Sequence, residues 1–315
     1  MTRNHSADDT PSGKSPRLAS LGRLAEIACW IEATTFKPGN VHPDAAFEDL
    51  SYEDFLISAA AIRPIFDRAH ENTIGDTIRD AISATQGVVG SNTNLGIVLL
   101  LAPLAKIPEP VCLRTTAERD ALRIAIRAVL DATTIEDARA IYEAIRLANA
   151  GGLGEVAKGD ISQEPRRSLV PMMRLAREHD FIARQYSDEY REVVDQGVVI
   201  FLDYWKSDEN LERAVQYVFL GLLGKFPDSL IERKCGRALA VEASRRAGEA
   251  LQAGFPATED GWHRFEEFDV WLREDGHRRN PGTTADLTAA VLFLLLRSGI
   301  IPQTARIGRR RASRE

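Results

Sequence analysis

The residues able to do chemistry gather in a few Gly- and Pro-containing breaks between apolar runs, where function tends to sit on a rigid scaffold. The first break runs from Glu32 to His42 and centres on Lys37-Pro38-Gly39. A lysine at this place can hold a phosphate as a point charge, or can complement the C-terminal dipole of the helix before it. Glu48 and Asp49 precede a second helix. They can complement its N-terminal dipole, or bind Mg2+, which favours carboxylates together with phosphate oxygens. The third break, Gly87 to Gly96, reads Gly-Val-Val-Gly-Ser-Asn-Thr-Asn-Leu-Gly. Asn92, Thr93 and Asn94 either leave backbone N–H groups free for an anion or cap the apolar helix that follows. It is not a Walker A loop, because Gly-Lys-Ser/Thr is missing.

Three further breaks carry charge. Asn149 to Asp160 holds four glycines with Glu155, Lys158 and Asp160, a mobile connection or a close approach to a ligand. Phe226 to Gly236 contains Pro227-Asp228-Ser229 and then Arg233-Lys234. Asn280 to Leu287 reads Asn-Pro-Gly-Thr-Thr-Ala-Asp-Leu, with Gly282 in the turn and Asp286 in the first helical turn. Asp286 is placed either to complement the helix dipole or to point into a cleft between helix ends. Gly-rich breaks, carboxylates and cations together suggest phosphate with a divalent metal. No HExxH, GxSxG or nucleophilic-cysteine motif is present.

The elements that must position these residues are helical almost throughout. Leu21, Leu24, Ala25, Ala28 and Ile31 step by three and four, as do Phe55, Ala59, Ile62, Phe66 and Ala69, with a kink expected at Pro64. Ser51 with Asp54, and Thr134 with Asp137, resemble N-terminal capping pairs. Leu95–Ala105 is apolar on every face and so is expected to be a central helix. Longer helical stretches are expected near Leu169–Trp205, Leu211–Leu223, Leu230–Leu251 and Trp262–Arg278, with Asp286–Arg297 closing the core. Val193–Leu202 has strand-like composition, but its flanks favour helix. The pattern predicts an all-α fold, one large domain of about ten to twelve helices over 18–300. Polar residues 1–17 and the segment 301–315, with five arginines, read as tails.

Composition narrows the function classes. Lys plus Arg is 40 against 46 Asp plus Glu, a net charge of −6, which argues against sequence-independent nucleic-acid binding. Cys29, Cys112 and Cys235 are the three cysteines; they lie far apart, which fits a reducing compartment and disfavours a thiolate zinc site. There is no secretory h-region, and no apolar run approaches the ~20 residues that span a bilayer. A cytoplasmic protein with small-molecule partners, no nucleic acid and no membrane is expected; oligomeric state is not readable.

The order of these motifs carries a resemblance. Glu before Lys-Pro-Gly, Asp49-Leu50 before a helix, Asn-Thr-x-x-Gly before an apolar helix, Asp-Ser followed by Arg, and Asn-Pro-Gly-x-x-Ala-Asp-Leu together resemble the triphosphoribosyl-dephospho-CoA synthase family, over about residues 20–298. The resemblance implies a soluble, all-α, Mg2+-dependent transferase that uses ATP as substrate. The 2′-hydroxyl of 3′-dephospho-CoA would displace adenine from the ATP ribose, as part of cofactor biosynthesis. On this pattern Glu32, Asp49 and Asp286 would be catalytic, and Asp49, Asp228 and Asp286 would hold metal. Lys37, Gly39, Asn92, Thr93, Asn94, Gly96, Arg233, Lys234, Asn280 and Gly282 would bind the nucleotide. Two departures stand out. Asn94 and Leu95 replace the His and Lys of the family's His-Lys-Gly, and Asn40-Val41-His42 follows Pro-Gly where an apolar residue is commoner. They mark a divergent branch. Its acceptor could instead belong to one-carbon, methanopterin-type cofactor synthesis, and a non-catalytic helical binding protein is the remaining alternative.

Overall fold

Residues 95–105 form a helix in which every residue except Gly96 is buried, and the remaining elements pack around it. The computed structural model describes residues 19–148 and 163–305. Among them, the chain forms α1 (Leu21–Thr34), α2 (Tyr52–Asp67), α3 (Ile74–Gln86), α4 (Leu95–Ala105), α5 (Thr116–Asp131), α6 (Ile135–Leu147) and α7 (Leu169–Ala176). There follow α8 (Phe181–Ser187), a π-helical turn (Glu192–Gly197), α9 (Val198–Trp205), α10 (Leu211–Lys225), α11 (Ser229–Cys235), α12 (Arg237–Gln252), α13 (Glu259–Arg273) and α14 (Gly282–Arg297). The fold is a single all-α domain with no sheet among the described residues. Local rules explain many starts: Ser51 with Asp54 and Thr134 with Asp137 both close full capping boxes.

Two cores meet along α10 and α14. The larger surrounds α4 and the run Leu287–Leu296, with α1, α2 and α3 on one side and α8 to α10 on another. The smaller joins Phe219, Leu223, Ile231, Phe265 and Leu272 from α10, α11 and α13 with Phe36. α4 and α14 run parallel. Their starts touch at Gly96 and Asp286. At their ends the buried Arg297 guanidinium donates to the carbonyls of Leu104 and Ile107, the latter at 2.6 Å, and pairs with Glu109 at 2.7 Å.

The structure divides the chain more finely than its periodicity does. Fourteen α-helices are present among the described residues where ten to twelve were expected. The stretch expected to run from Leu169 to Trp205 breaks at Asp180, which caps α8, and again at Glu189 and Tyr190, whose φ angles are 56° and 58°. The stretch from Leu230 breaks at Gly236, where φ is 89°, a conformation that glycine adopts without Cβ strain. Helix α13 ends at Arg273, and α2 runs on through Pro64 to Asp67. Residues just past the expected boundary at 300 pack on the body: Ile301 is fully buried, and Gln303 accepts from the Ala19 amide at 2.8 Å. The Asn149–Asp160 break lies outside the described residues, as do 1–18 and 306–315.

Pro103 inside α4 has a consequence for its neighbours. Proline lacks an N–H, so the Leu99 carbonyl loses its usual helical donor. The buried Tyr186 hydroxyl donates to that carbonyl at 2.6 Å, and Tyr190 donates to Leu100 O at 3.0 Å. Tyr186→Phe is expected to lose about 1–2 kcal/mol in urea unfolding. The loss should shrink in a Pro103→Ala background, where the new backbone N–H restores the helical donor; an equal loss in both backgrounds would contradict this pairing.

Candidate active site

Asp286, in the first turn of α14, lies directly over the first turn of α4. A Cβ built on Gly96 would fall 2.0 Å from Asp286 Oδ2, so only glycine lets the carboxylate approach. Protein surrounds Asp286, yet part of it stays open to solvent, which places it in a recess. No hydrogen bond or ion pair to it occurs among the described residues. Burial pushes its carboxyl well above the ordinary carboxylate range; the negative charges of Glu32, Asp228 and Asp180 add to this and Arg233 opposes it.

Four helix starts converge on this recess. Asp228 joins two of them: its Oδ1 accepts from the amides of Leu230 and Ile231 at 2.9 and 3.1 Å, capping α11, and its Oδ2 accepts from Thr284 N and Oγ1, both at 2.8 Å, at the start of α14. With four hydrogen bonds it is a cap, and its expected role as a metal ligand does not fit. Ser229 Oγ accepts from Phe181 N at 3.1 Å at the start of α8 and meets Thr283 Oγ1 at the same distance. The start of α4 completes the set. Aligned N-terminal dipoles and free N–H groups favour anions.

Two cations border the recess. Arg233 lies 3.6 Å from Asp180, and its buried Nε has no hydrogen-bond partner. Lys234 is half-buried, and its ammonium makes no hydrogen bond or ion pair among the described residues. Burial, and then the adjacent Arg233, pull its ammonium below the ordinary lysine range. Asp180 escaped the sequence reading. Its position before Phe181-Ile182 is an N-cap signal, but that segment reads as the interior of one long helix.

Lys37 is not free to meet a phosphate. It is fully buried, and its Nζ donates to the carbonyls of Glu32 and Thr35, the latter at 3.0 Å, and pairs with Glu32 Oε1 at 3.0 Å. Burial lowers its pKa, with Glu32 opposing. The expected role as a phosphate ligand gives way to one in anchoring Glu32 behind Asp286. The Pro-Gly loop is clamped as well: Gly39 N donates to Asp269 Oδ1 at 2.7 Å, Asn40 Nδ2 donates to Asn280 Oδ1, and Arg273 donates to the Asn40 carbonyl. Asn280 and Gly39 therefore hold two motif loops together. Gly282, at the start of α14, packs against Leu230.

The remaining candidates separate. Asn92 Oδ1 caps α4 through Leu95 N at 3.2 Å, and Thr93 Oγ1 bonds Ser58 Oγ at 2.5 Å. Asn94 is buried, held by Nδ2 to Thr85 Oγ1 at 3.0 Å, and its Oδ1 has no partner. Leu95 is part of the large core. Asp49 is exposed on the rim, 3.5 Å from His277 Nδ1, and does not join the recess carboxylates. Asp49, Asp228 and Asp286 therefore do not form a metal cluster, and no group of three His, Cys, Asp or Glu side chains able to hold one occurs among the described residues. A cavity of about 370 Å3, lined by Leu24, His70, Lys106, Glu109 and Arg297, opens at the opposite end of the α4–α14 pair. Its Lys106 is committed to the carbonyls of Ala69, His70 and Asn72.

A helical domain whose helix starts, cations and one unpartnered carboxylate face a shared recess offers a place suited to an anion. The chain belongs to the CitG family, ATP:dephospho-CoA triphosphoribosyl transferase, whose model matches residues 18–303. It is a transferase of the triphosphoribosyl-dephospho-CoA synthase type. It is similar to a solved structure from Archaeoglobus fulgidus, proposed to be a triphosphoribosyl-dephospho-CoA synthase, with 29% identity, a TM-score of 0.59, and coverage of 78% of this chain and 99% of that one. No curated protein matches the chain. No helix among the described residues is long and apolar enough to cross a membrane.

Two stability measurements follow from this geometry. Lys37→Met strands the Glu32 carboxylate and should cost about 3–5 kcal/mol in urea unfolding; an unchanged midpoint would contradict the buried pair. His42 Nδ1 accepts from Asp44 N at 3.3 Å, so it carries no proton, and burial, helped by Arg273, pushes its pKa down to about 4. A folded pKa below the ordinary histidine value gives stability that is complete above about pH 6.5 and is lost as pH falls toward 4. Tm measured across that window should decline less steeply in His42→Gln than in the parent protein.

Proposed function

We propose that the enzyme transfers the triphosphoribosyl group of ATP to the 2′-hydroxyl of 3′-dephospho-CoA and releases adenine. The observation that carries this reading is Asp286, an unpartnered carboxylate in a recess where helix starts and Arg233 favour phosphate. The new bond joins the acceptor oxygen to the ribose C1 as the C1–N9 bond to adenine breaks. The hydroxyl proton passes to Asp286, and the bonding electron pair leaves with adenine, which takes up a proton. Positive charge that develops at C1 is stabilised by the carboxylates around it, as in glycoside chemistry. Arg233 and the N-terminal ends of α4 and α14 would hold the triphosphate.

Magnesium fits the residues present. Mg2+ needs only one or two carboxylates when substrate phosphates complete its shell. Glu32, anchored by Lys37 through one oxygen, would hold it together with the triphosphate oxygens, which leaves Asp286 free to take the proton. When bound, the ion would neutralise triphosphate charge. A second reading keeps the same chemistry with another acceptor, such as one in methanopterin-type one-carbon cofactor synthesis. It is favoured by Leu95, a core residue where the family pattern places a cation, and by the unpartnered Asn94 Oδ1 beside it.

The test is chromatographic detection of adenine from ATP, Mg2+ and dephospho-CoA. Stoichiometric adenine and triphosphoribosyl product are expected, and Asp286→Asn should lower kcat by about 100-fold or more. Adenine release only with a different acceptor selects the second reading. Wild-type turnover by Asp286→Asn would remove Asp286 from the chemistry.

A further inference from the structure

The rim beside the recess carries a group of side chains that the transfer chemistry leaves unused. Phe47 and His277 make a tilted ring contact, with centroids 5.1 Å apart and planes 40° apart, and both stay partly open to solvent. Arg273 approaches the Phe47 ring to 5.8 Å. The exposed Asp49 carboxylate lies 3.5 Å from His277 Nδ1. This shelf is tied to the cations of the site. Arg278 donates to the Lys234 carbonyl at 3.1 Å, and Cys235 Sγ donates to the Arg278 carbonyl at 3.3 Å. The turn bearing His277 is thereby fixed to the end of α11, next to the unpaired Lys234.

Aromatic faces, an acceptor carboxylate and an unpaired ammonium side by side match the three parts of an adenine nucleotide. The base stacks on π surfaces, its exocyclic amino group donates, and its phosphates need a cation. We propose that the Phe47–His277 shelf binds the adenine ring of the acceptor, with Asp49 accepting from its amino group and Lys234 meeting its 5′-diphosphate. This rests on the transfer reading above and names how that site selects its acceptor. ATP's own adenine is bonded to the reacting carbon, so it lies in the recess by Asp286 and must be free to leave. The acceptor's adenine stays in the product and sits on C1′, next to the C2′ that bears the attacking oxygen, so the surface that holds it must border the recess, as the shelf's ties to the end of α11 provide.

Equilibrium dialysis of the full-length protein with dephospho-CoA alone and with ATP alone, beside steady-state KM values, tests this. Phe47→Ala should weaken dephospho-CoA binding by about 10-fold and leave ATP binding within about twofold. Phe47→Trp should restore it, which separates lost stacking from lost folding. Asp49→Asn should erase a preference for dephospho-CoA over its hypoxanthine analogue, whose O6 cannot donate. Weaker ATP binding in Phe47→Ala with dephospho-CoA binding unchanged would overturn the proposal, as would no dephospho-CoA binding by the parent protein. Because binding is read without turnover, dephospho-CoA that binds through Phe47 but releases no adenine would sink the transfer reading and leave the shelf standing.

Discussion

The contact between Asp286 and Gly96 is the constraint on which the rest of the structure depends. A carboxylate can rest on the first turn of a neighbouring helix only where no Cβ intervenes, and Gly96 is the one residue of α4 that is not buried. The contact sets α4 and α14 in parallel, and Arg297 fixes the other end through the carbonyls of Leu104 in the last turn of α4 and Ile107 just beyond it. Parallel helices bring like dipole ends together. Their positive ends then surround a carboxylate that has no partner of its own, an arrangement that costs stability unless a ligand completes it.

Most of the polar residues in the motifs do not face a ligand. Lys37 is spent on Glu32 and two carbonyls, Asp228 on four donors, and Asn40 and Asn280 on each other. These interactions are internal, so their removal would leave buried charge or orphaned donors. Their effect is to hold α1, α11, α13 and α14 in an arrangement that leaves Asp286, Arg233 and Lys234 partly open to solvent. A motif can be specific to a chemistry because of what it positions.

The fold was legible because its signal is periodic. Apolar spacing located the helices, and Ser51-Asp54 and Thr134-Asp137 marked starts through backbone donors that depend on local sequence alone. The break at Glu189 and Tyr190 was not legible, since a positive φ at non-glycine residues in a continuous helical pattern is set by packing. The candidate site was legible only as a set of positions. Asp286, Arg233 and Lys234 could be singled out as chemistry-bearing residues at helix breaks. Whether a lysine beside Pro-Gly meets phosphate or a buried glutamate depends on where the loop folds, and the sequence is the same in both cases. Asp49 shows the opposite case: two carboxylates close to motifs in the sequence can end in different places, one in the recess and one on the rim.

The most direct test is a crystal structure of the protein with ATP and Mg2+ in the Asp286→Asn background. The nucleotide ribose is expected against residue 286, with the triphosphate between Arg233 and the starts of α4 and α14. A nucleotide seated instead in the cavity by Lys106 and Arg297, at the far end of the helix pair, would contradict the assignment of the active site.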